Sequence, residues 1–183
     1  PDALIGAANA AMTRAKESGA GAYHVFTPAL NARITKRMSL EGRLRKATAG
    51  ESFVVHYQPR VDVRTRRMAG MEALVRWNDG GSLIPPSEFI PLAEENGLIV
   101  PIGEWVLHTA LNDLKRWLEA DPALWMSVNL SARQFRLPDL ESRIEEAVTA
   151  AGIPPEKLEL EITESVAMSD VNRSTAVMTA LHK

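Results

Sequence analysis

The sequence predicts an α/β fold in which helices connect the strands of a mostly parallel sheet. Two observations lead to this prediction. Short β-like runs alternate with helical periodicity from Phe53 onward, and strands separated by helical crossovers pair in parallel. Hydrophobic residues make up 45% and charged residues 24% of the 183 residues, which is the average of folded globular domains. Composition does not decide whether the sheet is open or closed into a barrel.

Composition also excludes several classes of site. The chain contains no Cys, so thiolate nucleophiles, zinc–thiolate centres and disulfides are excluded, and any metal must be held by oxygen or imidazole ligands. A net charge of -2 gives no strong long-range field, so we expect no nucleic-acid polymer as a partner. The most apolar stretch, 98–107, is interrupted by Pro101, Gly103 and Glu104 and is too short to span a bilayer. We expect a cytoplasmic domain, whose parent protein can still be membrane-anchored.

Two segments precede the alternating region: a helix followed by a short strand, and then a connecting helix. Small and apolar residues recur at helical spacing over 2–18, and Gly19 is a typical helix stop. A short strand is predicted at 22–26, and because one helix and one strand cannot bury both faces, we expect the end of a larger domain here. Thr27 as N-cap and Pro28 in the first turn then begin a connecting helix.

The alternating region contains four predicted strands and four predicted helices. The strands are predicted at 53–58, 68–77, 125–130 and 158–163. The helices are predicted at 86–95, 104–118 and 139–151, with a last helix capped by Ser169. The pattern stops in the middle of a crossover, so we expect the chain to be part of a longer protein.

Polar residues lie on one face of three of these strands. Side chains alternate across a strand, so Glu72, Leu74 and Arg76 share a face, and the same rule places Asn129 and Glu161 on polar faces. Ligands in α/β sheets gather at the carboxyl ends of parallel strands. We therefore expect these oxygen-bearing side chains to converge if their strands are neighbours.

Such a cluster is typical of a divalent-metal site. Ionised carboxylates repel one another and are costly to bury unless a cation compensates them, and hard oxygen ligands suit Mg²⁺ or Mn²⁺. The alternative interpretation is structural: Glu72 pairs with Arg76, Asn129 satisfies backbone groups, and Glu161 packs inside the sheet. The pattern alone leaves both interpretations open.

Five blocks of the sequence, in the same order, resemble the EAL-domain family. They cover roughly Leu40 to the end and comprise Tyr57-Gln58-Pro59, Met71 to Trp77, Pro86 to Ile99, Ser127 to Ser131, and Glu159 to Ser165. The resemblance implies the first half of a (βα)₈ TIM-like barrel of the EAL type, with an antiparallel first strand and an N-terminal helical linker. It also implies hydrolysis of cyclic di-GMP to linear pGpG with Mg²⁺ or Mn²⁺, by in-line attack of a metal-activated water on one phosphodiester.

The resemblance assigns roles to individual residues. The implied metal ligands are Glu72, Asn129 and Glu161. The implied catalytic residues are Glu72 and Glu164, the second of which supports the active-site loop. The implied substrate contacts are Gln58, Leu74 and Arg76.

The sequence departs from the family pattern after the fourth strand. The family's paired aspartates, its lysine and its later glutamate are not found, and Asp170 stands alone where a helix N-cap is expected. We therefore expect no turnover by this chain alone, although the parent protein is expected to be a cyclic di-GMP phosphodiesterase. The alternative is a non-catalytic cyclic di-GMP receptor or regulatory scaffold.

A shorter resemblance concerns the N-terminal region. Ala10 to Gly19 resembles the closing helix of a GGDEF domain, and Lys16 matches a lysine that contacts GTP phosphate in that family. The predicted organisation is therefore a GGDEF tail at 1–27, a helical linker at 28–49 and a truncated EAL domain at 50–183. The implied partners are cyclic di-GMP, upstream GGDEF and sensory domains, and a second copy in a homodimer of the full-length parent.

Overall fold

The computed structural model describes residues 8, 11, 12, 15, 27–50 and 52–182. The chain divides into two compact units, 1–46 and 47–183. Of the helix predicted at 2–18, the four described residues are helical, and the strand predicted at 22–26 lies outside the described residues. No helix in the described part of the chain combines the length and apolarity needed to cross a membrane.

The first long element is helix α1, Pro28–Thr48. The Thr27 hydroxyl accepts a hydrogen bond from the Leu30 backbone N–H at 3.1 Å. This bond satisfies one of the donors that the first turn of a helix leaves unpaired. The predicted N-cap is therefore confirmed.

The second unit alternates strands with helices. Its strands are β1 Phe53–Val61, β2 Met68–Asp79, β3 Ser82–Ile84, β4 Trp125–Asn129 and β5 Leu158–Glu161. Its helices are α2 Pro86–Asn96, α3 Ile99–Leu118, α4 Ala132–Phe135, α5 Leu140–Ala151, α6 Glu164–Ser169 and α7 Val171–Leu181, with a 3₁₀ turn at Pro155–Lys157.

The strands form one mixed sheet. Its order is β1-β2-β4-β5, with β3 paired to β2. β1 and β3 run antiparallel to β2, whereas β2, β4 and β5 run parallel. Chain connectivity explains the difference. A short turn joins β1 to β2, so these strands run in opposite directions. Before β4 and β5, helices bring the chain back to the end of the sheet at which β2 begins, so these strands run parallel to β2. The predicted α/β class and the antiparallel first strand are confirmed.

Strand β3 was not predicted. It forms because a turn of two glycines folds the chain back onto β2. Gly80 and Gly81 both have positive φ, 61° and 95°. Positive φ at both central residues gives the tight turn that matches the twist of a β-hairpin, and glycine adopts it without strain. The short Ser82–Ile84 run therefore folds back onto the end of β2.

Helix α3 begins five residues earlier than the predicted start at Glu104. Gly97, in the left-handed region at φ 84°, ends α2, and α3 starts at Ile99. Pro101 then lies in the first turn of α3, where its missing N–H removes no intrahelical hydrogen bond. Pro101, one of the residues that interrupt the apolar stretch, is thus compatible with the helix.

The start of the last helix also differs from the prediction. Ser169 belongs to α6, and its hydroxyl donates to the Val166 carbonyl at 2.8 Å. Asp170 caps α7 instead, because its side chain accepts from the Arg173 N–H at 3.1 Å. The expected Ser169 cap is wrong, and the expected capping role of Asp170 is confirmed.

The hydrophobic core lies on one face of the sheet. Trp77 of β2 and Phe89 of α2 are fully buried, and their rings meet edge to face with centroids 5.8 Å apart. Leu111 of α3 and Met126 of β4 are fully buried as well. Because side chains alternate, burying this face directs the polar residues of the same strands to the opposite, more open face.

One close approach depends on Gly70 in β2. A Cβ atom at Gly70 would lie 2.5 Å from the Trp125 ring and 2.7 Å from the Trp125 carbonyl oxygen. Only a residue without a side chain therefore allows the indole to lie against β2 at this level.

We expect Gly70→Ala to lower the free energy of unfolding by about 1–3 kcal/mol, because the ring and the backbone must shift to admit a methyl group. Urea unfolding followed by circular dichroism measures the change. Gly42→Ala is the matched control, since Gly42 lies in α1 with nothing within 4 Å of the added methyl group, and alanine favours a helix. Equal stability of Gly70→Ala and the wild type would contradict this account.

A polar contact joins β1 to α3. The Tyr57 hydroxyl donates to Asp113 Oδ2 at 2.5 Å, and its ring meets Trp117 edge to face at 4.7 Å. Burial, reinforced by the Asp113 carboxylate, raises the pKa of Tyr57 above its ordinary value of 10.0. The neutral phenol is therefore the form that the folded protein stabilises.

We expect Tyr57→Phe to lower the free energy of unfolding at neutral pH by about 1–2 kcal/mol, because Asp113 loses a donor. The stabilisation that comes from the raised pKa is present below about pH 10 and is lost as the pH rises further, since only the unfolded tyrosine then ionises readily. Urea midpoints from about pH 8 to about pH 11 should fall less steeply in Tyr57→Phe than in the wild type. Parallel pH profiles would contradict the assignment.

Candidate functional site

Oxygen-bearing side chains from three adjacent strands meet on the open face of the sheet. Strand register pairs Glu72 with Ser127 and Asn129 with Glu161. The Asn129 amide Nδ2 donates to Glu72 Oε1 at 2.8 Å. The Ser127 hydroxyl, on a fully buried residue, donates to Glu161 Oε1. Each carboxylate is thus oriented by a neighbour on β4.

A guanidinium group joins the two carboxylates. Arg60 Nη2 donates to Glu72 Oε2 at 3.3 Å and also donates to Glu161 Oε1. The three predicted ligands, Glu72, Asn129 and Glu161, are therefore connected in one hydrogen-bonded cluster. The structural alternative paired Glu72 with Arg76, and this pairing is wrong. Glu72 pairs with Arg60, while Arg76 Nη1 donates to the Val75 carbonyl at 2.9 Å.

The contact between Arg60 and Glu161 also shows that the sheet is curved. Arg60 is on β1 and Glu161 is on β5, with β2 and β4 between them. In a flat sheet three strand spacings of about 4.8 Å and a register offset of four residues, about 13 Å, would separate the two backbones by about 19 Å, which is beyond the reach of the two side chains. The open face is therefore concave, as in the wall of a barrel.

A cavity of about 630 Å³ opens beside this cluster at the carboxyl ends of β2 and β4. Four predicted site residues line it, namely Glu72, Leu74, Arg76 and Asn129. Its apolar wall comes from α2, α3 and α6 and includes Ile90, Ile102, Val106 and Val166. A cavity of this size with a few convergent polar groups is typical of a small-molecule site.

The turn after β4 holds the edge of the cavity in place. The Ser131 hydroxyl accepts from the Gln134 N–H at 3.2 Å, and Gln134 Oε1 accepts from the Ser131 N–H at 3.2 Å, forming a capping box. Arg133 Nη1 donates to the Glu94 carbonyl at 3.0 Å, which ties α4 to the C-terminal end of α2. These bonds fix the backbone that follows Asn129.

Three predicted residues lie outside the cavity lining. Gln58 is exposed on β1 directly opposite Glu72, on the same face of the sheet. Glu161 ends β5 and contacts Arg60 and Ser127 but does not line the cavity. Glu164 is exposed at the first residue of α6. The functional roles of Gln58 and Glu164 stay predictions.

Sequence reasoning missed Arg60. The alternation of side chains along a strand could have found it, because Arg60 follows Gln58 by two residues and so shares its face. The predicted strand ended at Gln58, whereas β1 continues to Val61. Ser127 precedes Asn129 by two residues and so shares its face, but the bond from Ser127 to Glu161 depends on the pairing of β4 with β5.

The donor set of the cluster fits a hard divalent cation. Two carboxylates and one amide supply the oxygen ligands that Mg²⁺ and Mn²⁺ prefer. One guanidinium nitrogen already reaches both Glu72 and Glu161, so the two carboxylates are close enough to share a cation. Over the described residues no three His, Cys, Asp or Glu side chains form a group that could hold a metal ion.

Comparison with known proteins gives the family. Residues 41–183 match the EAL domain model. The chain is 41% identical over 176 residues to the bifunctional diguanylate cyclase/cyclic di-GMP phosphodiesterase MucR of Pseudomonas aeruginosa, covering 95% of this chain and 26% of MucR. It is 38% identical over 164 residues to the cyclic di-GMP phosphodiesterase PdeR of Escherichia coli, covering 89% of this chain and 25% of PdeR.

A solved structure gives the same answer. The structure of the PaMucR phosphodiesterase in complex with c-di-GMP superposes with a TM-score of 0.76 at 40% identity, covering 79% of this chain and 59% of that chain. The chain therefore spans about a quarter of the length of the two curated relatives and somewhat more than half of the solved chain. Fold and sequence agree, and the chain belongs to the EAL domain family.

Proposed function

We propose that the full-length protein hydrolyses cyclic di-GMP to linear pGpG in a reaction that requires Mg²⁺ or Mn²⁺. The observation that carries the proposal is the cluster of Glu72, Asn129 and Glu161 beside a cavity that is also lined by Arg76. The names of MucR and PdeR, and the bound c-di-GMP in the PaMucR structure, support the choice of substrate.

The cavity supplies groups that suit a guanine dinucleotide. Arg76 carries a planar guanidinium that can bind phosphate oxygens in a bidentate manner. Leu74 adds an apolar contact for a base on the same wall. Gln58 does not line the cavity, but it lies opposite Glu72 on β1 and would donate an amide N–H to the same ligand.

The acidic cluster supplies the chemistry. Glu72, Asn129 and Glu161 would hold the divalent ion, with Asn129 contributing its amide oxygen. When bound, such an ion lowers the pKa of water and stabilises negative charge that develops on a phosphoryl group. The bonds from Ser127 to Glu161 and from Asn129 to Glu72 hold the carboxylates in place beforehand. Glu164 follows β5 by three residues and would support the loop at that edge.

The proposal also covers the location of the domain, its neighbouring domains and its oligomeric state. We place it in the cytoplasm, downstream of a GGDEF tail at 1–27 and a helical linker at 28–49. In the full-length protein we expect sensory domains upstream and a homodimer. These assignments come from the sequence patterns and from the resemblance to the GGDEF and EAL families, and this chain covers about a quarter of the length of MucR and PdeR.

We expect Glu72→Ala in the full-length protein to reduce release of pGpG at least about 100-fold, because a ligand of the divalent ion is lost. Release is measured by chromatography with Mg²⁺ or Mn²⁺ present, and circular dichroism checks the fold. Glu145→Ala is the matched control, since it removes an exposed carboxylate on α5. Wild-type activity in Glu72→Ala would overturn the ligand assignment, and binding without hydrolysis by the wild type would indicate a receptor.

We expect the 183-residue chain alone to release no pGpG under the same conditions. The sequence contains no Asp-Asp pair for the rest of the ligand set that the family resemblance implies. The measurement is the same chromatographic assay, with the full-length protein as positive control. Turnover by the isolated chain would show that the residues present here suffice.

A further inference from the structure

Arg60 lies where its side chain can cross the concave face. Strand register places Arg60, Gly70 and Trp125 at one level on three adjacent strands. Gly70 has no side chain, and the Trp125 ring covers the space that a Cβ atom would fill. The Arg60 guanidinium carbon lies 5.6 Å from the Trp125 ring centroid, within the range of a cation–π contact. The glycine and the indole therefore direct the guanidinium from β1 towards β5.

Three carboxylates surround this guanidinium. Nη2 contacts Glu72, with a separation of 3.3 Å, and also contacts Glu161. Nη1 lies 4.0 Å from Glu159 Oε1. Glu159 is the more exposed of the three, with 52% of its side chain accessible against 21% for Glu72 and 29% for Glu161. One nitrogen thus serves both predicted metal ligands, while the other points to a carboxylate outside the ligand set.

The three carboxylates and the Arg60 guanidinium determine the net charge of the cluster. Three carboxylates and one guanidinium leave a net charge of two negatives when all are ionised, which one divalent ion neutralises. Without Arg60, the metal-free cluster would hold its carboxylates close together with no compensating charge. With Arg60, an incoming ion must compete with a cation that already contacts both ligands.

We propose that Arg60 is a built-in counter-cation, which bridges Glu72 and Glu161 in the metal-free protein and moves to Glu159 when a divalent ion takes the same two carboxylates. The inference rests on the proposed function, because it takes Glu72 and Glu161 as metal ligands. Arg60 is then a positioning residue that acts through the ligands and sets the metal concentration at which the site fills.

Mn²⁺ binding to the full-length protein tests this directly. Isothermal titration with Mn²⁺ alone gives the dissociation constant, and Glu72→Ala identifies the heat that belongs to this site. Arg60→Gln should bind Mn²⁺ about tenfold more tightly, because a competing positive charge within a few ångströms of the ion is removed. In EDTA the same variant should melt several degrees below the wild type, and saturating Mn²⁺ should restore most of that loss.

The control variants separate charge from structure. Arg64→Gln removes the same charge from the exposed β1–β2 turn and should leave the Mn²⁺ dissociation constant within about twofold of wild type. Arg60→Lys keeps the positive charge, so its Mn²⁺ dissociation constant should stay within about threefold of wild type. Glu159→Gln should weaken binding about threefold, because Arg60 loses its second partner, and this effect should shrink on the Arg60→Gln background.

The outcomes distinguish this inference from the proposed function. A wild-type protein that shows no Mn²⁺ heat dependent on Glu72 contradicts the metal site, and the inference falls with it. If the wild type binds Mn²⁺ and Arg60→Gln binds equally or more weakly, the counter-cation role is overturned and the metal site stands. A lower melting temperature with an unchanged dissociation constant would assign Arg60 a purely structural role. If Arg60→Gln fails to fold, Glu159→Gln decides, and unchanged Mn²⁺ binding in it overturns the inference.

Discussion

The convergence of Glu72 and Glu161 on the Arg60 guanidinium is the interaction on which the acidic cluster of the concave face depends. Two carboxylates from different strands repel each other, and their removal from water is costly unless a cation lies between them. Arg60 can supply that charge only because the sheet curves and because Gly70 leaves room for the Trp125 ring. The charge balance of the cluster therefore depends on the backbone packing at Gly70.

The opposite face of the sheet fixes the position of this cluster. Burial of Met71 and Ala73 against the helices sets the register of β2, and the residue between them is Glu72. A slip of one residue would move the apolar side chains to the open face and the carboxylate into the core. The bond from Tyr57 to Asp113 anchors β1 to α3 in the same way. The site is thus a consequence of a core that tolerates only one register.

The fold elements could be predicted from sequence wherever periodicity was unbroken. The four predicted strands and four predicted helices of the second unit are present with ends displaced by a few residues, whereas β3, α4 and α6 were not predicted. Several of these errors have local causes. Gly80 and Gly81 form a turn that adds β3, and Pro101 fits into the first turn of α3 instead of preceding the helix. Side-chain competition decided the last helix, because Asp170 and not Ser169 bonds to the backbone at its start. Such choices depend on φ angles and hydrogen-bond geometry, which residue types alone constrain weakly.

By itself the sequence determined which residues share a face, and hence that Glu72, Leu74 and Arg76 point away from the core, as do Asn129 and Glu161, because strand parity is a local property. It also carried the family resemblance that the comparisons support. Only the tertiary structure decided that β1, β2, β4 and β5 are adjacent in that order, that the sheet curves, and that Arg60 and Ser127 reach Glu161. Those contacts join residues up to 101 positions apart, and distances across strands follow from the packing of the whole sheet, which no local pattern encodes.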